Sequence, residues 1–173
     1  TLGIVGMGRI GIAMARMAHH GFAMRIVYSS RSAVAESVAM ELGAQCLPLD
    51  ELLQTTDFVS LHCPATPETR NLINAQKLRL MGEHAVLINT ARGDVVAEAD
   101  LVQALRDGVI AGAGLDVYAQ EPSVPKELLD LEQVVLLPHM GSGTVETREA
   151  MGMCALANIE AHVAGQPLPH AVQ

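Results

Sequence analysis

Three side chains in this sequence stand out for what they could do together. Arg92 follows Asn89-Thr90-Ala91, Glu121 comes near the end of Asp116-Val117-Tyr118-Ala119-Gln120-Glu121-Pro122, and His139 lies in Pro138-His139-Met140-Gly141-Ser142. An imidazole is the side chain best suited to give or take a proton near neutral pH. A carboxylate beside it orients the ring and favours its charged form. A guanidinium matches a carboxylate in two-pronged fashion. Taken singly, each has a plain alternative: Arg92 as a surface charge, Glu121 as a solvated loop acid, His139 as a hydrogen-bonded structural histidine. Placement is what argues for chemistry. Each lies just past an apolar run that reads as a strand, and in a parallel sheet the carboxyl ends of the strands share one edge, where ligands bind.

Short apolar runs alternate with helical patterns along the chain, which implies crossover units and a parallel sheet. Strands are expected at Leu2–Val5, Met24–Tyr28, Phe58–Leu61, Ala85–Ile88, Val109–Leu115 and Val134–Leu137. Helices are expected at Ile10–His20, Ala33–Leu42, Leu49–Leu53, Ala75–Met81, Ala97–Arg106 and Val145–Val163. Gly21, Gly43 and Gly108 read as helix stops. The segment Ala65–Arg70, with Pro67, reads as loop. Ala85–Ile88 is almost purely apolar, as suits a central strand covered on both faces. The expected architecture is α/β: a doubly wound parallel sheet (Rossmann fold) of about six or seven strands with helices on both faces.

The turn Gly6-Met7-Gly8-Arg9-Ile10-Gly11 directly follows the first strand and opens the first helix. A dinucleotide site makes this demand: one glycine for the tight turn, one for approach to the pyrophosphate, one for helix-strand packing. The helix N-terminus attracts the anion. Gly6, Gly8, Arg9, Ile10 and Gly11 are therefore candidate cofactor residues. An NAD site wants an acid about 20 residues further on, at the end of the second strand. Here that segment reads Ser29-Ser30-Arg31-Ser32, with no acid until Glu36. A carboxylate would repel the 2′-phosphate of NADP, whereas an arginine fork with serine hydroxyls beside it would bind it. NADP(H) is the expected cofactor, with NAD(H) as second choice.

Composition removes several classes. The chain has 173 residues, 50% of them hydrophobic, enough for one domain with a sizeable core. A net charge of -8 with 2% aromatics gives neither a phosphate-binding surface nor a base-stacking platform, so no nucleic-acid partner is expected. No apolar run approaches the roughly 20 residues of a membrane span. Cys46, Cys63 and Cys154 are odd in number and widely spaced, which fits neither a disulfide framework nor a zinc site. No metal is expected, and a reducing, cytoplasmic location is. The nine methionines read as adaptable core filling. His62 abuts the cofactor edge; His19 and His20 sit at a helix end, and His84, His162 and His170 read as surface. The chain begins inside a strand-like run, so its natural N-terminus is expected to lie upstream.

With these segments in order, the chain resembles the D-isomer-specific 2-hydroxyacid dehydrogenases over nearly its whole length. The segments carrying the resemblance are the glycine turn, His62-Cys63-Pro64-Ala65-Thr66-Pro67-Glu68-Thr69, Asn89–Gly93, Asp116–Pro122 and Pro138–Ser142. The Ser29–Ser32 segment is similar to that of the NADPH-preferring glyoxylate/hydroxypyruvate and 2-ketogluconate reductases. The resemblance implies that Arg92 grips the substrate carboxylate and polarises the 2-oxo group, that His139 is the general acid-base and that Glu121 is its partner. It implies that Asp116 holds the nicotinamide carboxamide, and that Cys63, Pro64, Thr69, Thr90, Ala91, Gly141 and Ser142 line the cofactor. The resemblance also implies a homodimer joined through this domain, near Ala97–Arg106 and Glu121–Leu131.

The family's chain has two domains, and only the cofactor domain is matched here. Residues 1–173 are thus expected to form a dinucleotide-binding domain. Within it, 155–173 resembles the tail that returns to a substrate domain absent from this chain. The function implied is hydride transfer between NADP(H) and a small 2-oxo or 2-hydroxy acid, glyoxylate or hydroxypyruvate. A nucleotide-sensing, corepressor-like module without turnover is the alternative.

Overall fold

The structure is a computed structural model describing residues 1–171. It comprises two compact units, Thr1–His139 and Met140–Gln173. The last two positions of the expected 155–173 tail, Val172 and Gln173, lie outside the described residues.

The first unit contains one seven-stranded sheet. Its strands are β1 (Leu2–Val5), β2 (Ile26–Ser29), β3 (Gln45–Cys46), β4 (Phe58–Leu61), β5 (Val86–Asn89), β6 (Gly112–Leu115) and β7 (Val134–Leu136). They run in the order β3-β2-β1-β4-β5-β6-β7, and every pairing is parallel. The connections carry α1 (Arg9–Phe22), α2 (Glu36–Leu42), α3 (Leu49–Thr55), α4 (Ala75–Leu78), α5 (Glu98–Arg106) and α6 (Lys126–Leu129), with a 3-10 turn at Gly93–Val95. This is the expected doubly wound sheet. The strand order reverses between β1 and β4, which opens a crevice at their carboxyl ends.

Alternation along the strands builds the two layers. Leu2 and Ile4 of β1 pack with Ala15 and Ala18 of α1, and with Ile26, Tyr28 and Leu42. Val5 joins the larger cluster, with Leu52 and Leu53 of α3, Val59 and Leu61 of β4 and Leu87 of β5. Helix α5 buries Leu101, Val102, Ala104 and Leu105, the i, i+1, i+3, i+4 face its apolar spacing provides.

Several boundaries differ from the sequence expectation for local reasons. Gly21 does not end α1; the helix continues to Phe22 and closes at Ala23, whose φ is 51°. Backbone closure of Met24 N–H onto the Ala18 carbonyl fixes that end, and a single helical glycine costs only about 1 kcal/mol. Met24 thus belongs to the cap, and β2 starts later, at Ile26. Helix α2 starts at Glu36 rather than Ala33, because Val34 N–H is given to the Tyr28 hydroxyl. Val109 N–H closes α5 onto the Ala104 carbonyl, so β6 begins only at Gly112. Strand β3 and helix α6 are additions to the expected elements; they span two and four residues and are too short to show a period.

In the second unit α7 (Val145–Val163) has the expected bounds. Thr144 caps it, its hydroxyl accepting Thr147 N–H at 3.2 Å. No residue of α7 is buried. Further on, the Asn158 amide makes two bonds to the His170 backbone.

Leu87 sits on a central strand with no exposure. Leu87→Ala should cost about 2–5 kcal/mol, the range for emptying a packed site. Urea unfolding should show a lowered midpoint at unchanged slope. Phe22→Ala, at a position 79% exposed, should stay within about 0.5 kcal/mol of wild type.

Candidate active site

The glycine turn has the form a bound pyrophosphate requires. Gly6 takes φ +96°, and a Cβ there would stand 2.7 Å from the Cys63 nitrogen. A Cβ on Gly11 would come 2.3 Å from the Gly6 carbonyl oxygen, so the third glycine is a packing residue. At Gly8 a Cβ would meet nothing within 4 Å: the space above it is open. Gly8 is the N-cap of α1, with no side-chain cap and no acid in the first turn. The unpaired N–H groups and the positive end of the helix therefore face that space.

A cavity of about 500 Å³ lies at the carboxyl ends of β1, β2 and β4. Of the expected cofactor residues, Gly6, Gly8, Ser29, Ser30, Arg31, Cys63, Pro64 and Thr69 line it. Arg9, Ile10, Gly11, Ser32, Thr90, Ala91 and Asp116 do not. Arg9 and Ile10 are exposed on the first turn of α1, and Ser32 is exposed beyond β2. Thr90 and Ala91 follow β5, Ala91 giving its N–H to the Asn89 side chain. Asp116 is buried directly after β6, its N–H on the Asn89 carbonyl. Gly141 and Ser142 belong to the second unit, in the turn before α7.

Three further groups matter at this cavity. His62 lines it, with Nε2 2.9 Å from the buried Ser60 hydroxyl, and burial pushes the ring toward its neutral form. Burial likewise pushes the Cys63 thiol up, so it stays protonated. Glu68 also lines the cavity, its carboxyl held below the usual range by the Thr66 hydroxyl first, with Arg31 adding a weaker charge effect. The two-residue spacing of Ser60 and His62 at the end of β4 is the sequence signal that points to this pairing. No sequence signal separates Glu68 from an ordinary loop acid.

At the other end of the edge, Glu121 and His139 meet. His139 Nδ1 lies 2.6 Å from Glu121 Oε2, and Tyr118 N–H donates to Oε1 at 3.1 Å. The His139 bond above all, then the Tyr118 amide and the charge of Arg92, hold the Glu121 carboxyl below the usual carboxylate range. His139 itself takes φ +52°. With Nδ1 engaged by Glu121, Nε2 is the nitrogen through which the ring can exchange a proton with a ligand.

Arg92 is exposed, and its Nη1 donates to the Ala91 carbonyl at 2.6 Å. The turn beneath it is clamped by buried Asn89, whose side chain donates to the Arg92 carbonyl and accepts from Ala91 N–H. Arg92 thus reaches Glu121 through charge rather than a direct bond. Beside it, Gly93 abuts Tyr118 so closely that a Cβ would stand 2.0 Å from the Tyr118 carbonyl. The loops after β5, β6 and β7 therefore converge, as three strand-end loops of a parallel sheet should. Tyr118 carries no signal of its own in the sequence, because a lone aromatic beside a strand reads as core.

Residues 1–141 match the model of the D-isomer specific 2-hydroxyacid dehydrogenase, NAD binding domain. Among curated proteins, a glyoxylate reductase of Thermococcus onnurineus is 52% identical over 169 residues, 98% of this chain and 50% of that protein. A glyoxylate/hydroxypyruvate reductase B of Yersinia enterocolitica is 47% identical over 166 residues, 95% of this chain and 51% of that protein. Among solved structures, the holo form of Rhodotorula graminis D-mandelate dehydrogenase superposes with a TM-score of 0.96 at 35% identity, covering 99% of this chain and 50% of that one. The NADPH-dependent glyoxylate/hydroxypyruvate reductase of Sinorhizobium meliloti in complex with NADP and malonate gives 0.93 at 39%, covering 99% and 52%. The chain spans about half the length of the curated relatives it matches.

The depressed Glu121 carboxyl has a pH consequence. A group whose folded pKa is lowered contributes stability above its unfolded pKa and loses it as pH falls through the folded value. Carbon-detected NMR should show Glu121 titrating below the usual carboxylate range, and His139→Ala should move it back up toward that range. A Glu121 that titrates alike in both proteins would contradict the bond.

Proposed function

The chain belongs to the D-isomer-specific 2-hydroxyacid dehydrogenase family, and on that premise we propose that it is the cofactor-binding part of an NADP(H)-dependent reductase of small 2-oxo acids, glyoxylate or hydroxypyruvate. The observation that carries this reading is the Glu121–His139 pair at 2.6 Å, with Arg92 acting on it by charge. It lies on the same sheet edge as the glycine-lined cavity.

The residues fit the cofactor. The open space over Gly8 and the uncapped start of α1 suit the pyrophosphate. Arg31, with Ser29 and Ser30 at the same cavity, suits a 2′-phosphate. Beyond the cavity, Arg9, Ile10, Gly11, Ser32, Thr90, Ala91, Asp116, Gly141 and Ser142 complete the proposed cofactor set. When bound, the nicotinamide supplies the hydride. His139 donates a proton from Nε2 to the former carbonyl oxygen, which would otherwise remain an alkoxide. Glu121 holds Nδ1 and fixes the ring's direction. Arg92 turns from the Ala91 carbonyl to the substrate carboxylate, placing the 2-oxo group toward His139.

A single domain leaves the substrate open to water and poorly oriented. We propose that residues 155–173 belong to a segment returning toward a substrate-binding domain. Three cysteines without disulfides among the described residues suit a cytoplasmic setting.

The test uses both nucleotides. On this chain, NADPH should bind at least about tenfold tighter than NADH, a difference of about 1.4 kcal/mol. Added salt should shrink the gap. Arg31→Ala should remove most of it while sparing NADH. In a complete two-domain enzyme carrying this chain, turnover of glyoxylate and hydroxypyruvate with NADPH should fall by about a hundredfold or more in His139→Ala. Equal affinities for the two nucleotides, or turnover indifferent to His139, would overturn the reading.

We also propose a homodimer through α5 and the Glu121–Leu131 loop. A groove of about 350 Å³ lined by Glu98, Val102, Gln103 and Arg106 of α5 and by Pro125 and Glu127 joins these surfaces, and Leu129 of α6 is 62% exposed. Sedimentation should give a dimer at micromolar concentration, and Leu129→Glu a monomer.

A further inference from the structure

We propose that Tyr118 is a positioning residue that sets the geometry between Glu121 and His139, one end of it holding each partner. The proposal rests on the acid-base reading of that pair. Tyr118 is 6% exposed and belongs to the main core cluster. Its backbone N–H donates to Glu121 Oε1. Its hydroxyl donates to the Leu137 carbonyl at 2.8 Å and lies 3.4 Å from the Leu115 carbonyl.

The place of Leu137 gives that hydroxyl its leverage. Strand β7 ends at Leu136, and Leu137 N–H then bonds to the Leu115 carbonyl at 2.9 Å. The next backbone polar group toward His139 is the Leu137 carbonyl, which the Tyr118 hydroxyl takes. Pro138 follows and has no N–H to offer a further tie. The phenol thus extends the registration of β6 and β7 one peptide beyond the ladder, up to the residue before Pro138-His139.

The other end of Tyr118 works on Glu121. A carboxylate that accepts one bond from a fixed amide has one oxygen located, and its second oxygen then faces a defined direction, here His139 Nδ1. Gly93 adds the third loop, its backbone against the Tyr118 carbonyl. Burial pushes the phenol up from its ordinary value, so it remains a donor across the working pH range. A ring that only filled the core would need no hydroxyl: phenylalanine would serve equally.

Tyr118→Phe separates the two roles. It keeps the ring and the amide and removes the tie to Leu137. The readout on this chain is the pair of ring-nitrogen NMR signals of His139, with Glu121→Ala as the reference for a disengaged Nδ1. The Tyr118→Phe signals should move from wild type toward that reference, while NADPH affinity stays within about twofold of wild type. In the complete enzyme kcat should fall about tenfold with KM for the nucleotide unchanged, and the pH profile of kcat should shift. His139 signals superimposing on wild type would overturn the proposal.

A second readout needs no variant. The chain has two tyrosines, and in wild type the Tyr118 hydroxyl proton should exchange slowly enough with water to be observed close to Leu137. Exchange as fast as free tyrosine would also overturn it. Failure of the reductase reading looks different: the His139 signals would respond to Tyr118→Phe, yet the complete enzyme would not reduce 2-oxo acids.

Discussion

Parallel pairing is the constraint on which the rest of this chain depends. Because every strand of the seven runs the same way, each carboxyl end delivers its loop to one edge. Residues 6, 31, 62, 92, 121 and 139, scattered through most of the first unit, become neighbours along that edge without any loop longer than the crossovers require. The reversal of order between β1 and β4 keeps two successive loops from covering the same spot, which is why the glycine turn and the Ser29–Arg31 segment border an open cavity. One antiparallel strand would send its loop to the far side and remove its side chain from the site.

The two ends of the edge work by different physics. At β1, β2 and β4 the binding surface is mostly backbone and space: a left-handed glycine, an uncovered helix start, a neutral imidazole and a protonated thiol. Such a surface accepts an extended anion with little charge of its own, and leaves Arg31 and Glu68 as its ionised side chains. At β5, β6 and β7 the surface is built from polar and charged side chains, and their directions matter more than their space. Asn89 clamps the turn beneath Arg92, and Tyr118 touches all three loops. Binding tolerates small displacements that proton transfer does not, so the tighter hydrogen bonding falls where the proposed chemistry needs it.

Much of this was legible in the sequence, and the reasons are physical. Strands at Leu2–Val5 and Phe58–Leu61 and helix Val145–Val163 were readable to the residue because a long or sharply bounded apolar pattern leaves one choice. Arg92, Glu121 and His139 were readable because each follows such a strand. Helix ends were less so: Gly21 resembles a stop, yet the chain turned at Ala23, where closure onto Ala18 outweighs the strain of a left-handed alanine. Charge partners across loops were not readable at all. Glu68 and Arg31 are 37 positions apart, and only the parallel pairing of β2 and β4 on either side of β1 brings their loops to one cavity.

Tyr118 marks the boundary between the two kinds of information. Sequence pattern registers it as an aromatic residue after a strand, a sign of packing, and packing is what its ring does. Its hydroxyl and amide carry information of another kind, because a hydrogen bond depends on where two partners lie and not on how often a residue type recurs. The hydroxyl reaches 19 positions ahead to Leu137, and Gly93 approaches from 25 positions behind. Neither relation has a period. A candidate site whose residues follow from strand ends is held in register by contacts that do not, which is why those residues can be named from sequence while the distances between them cannot.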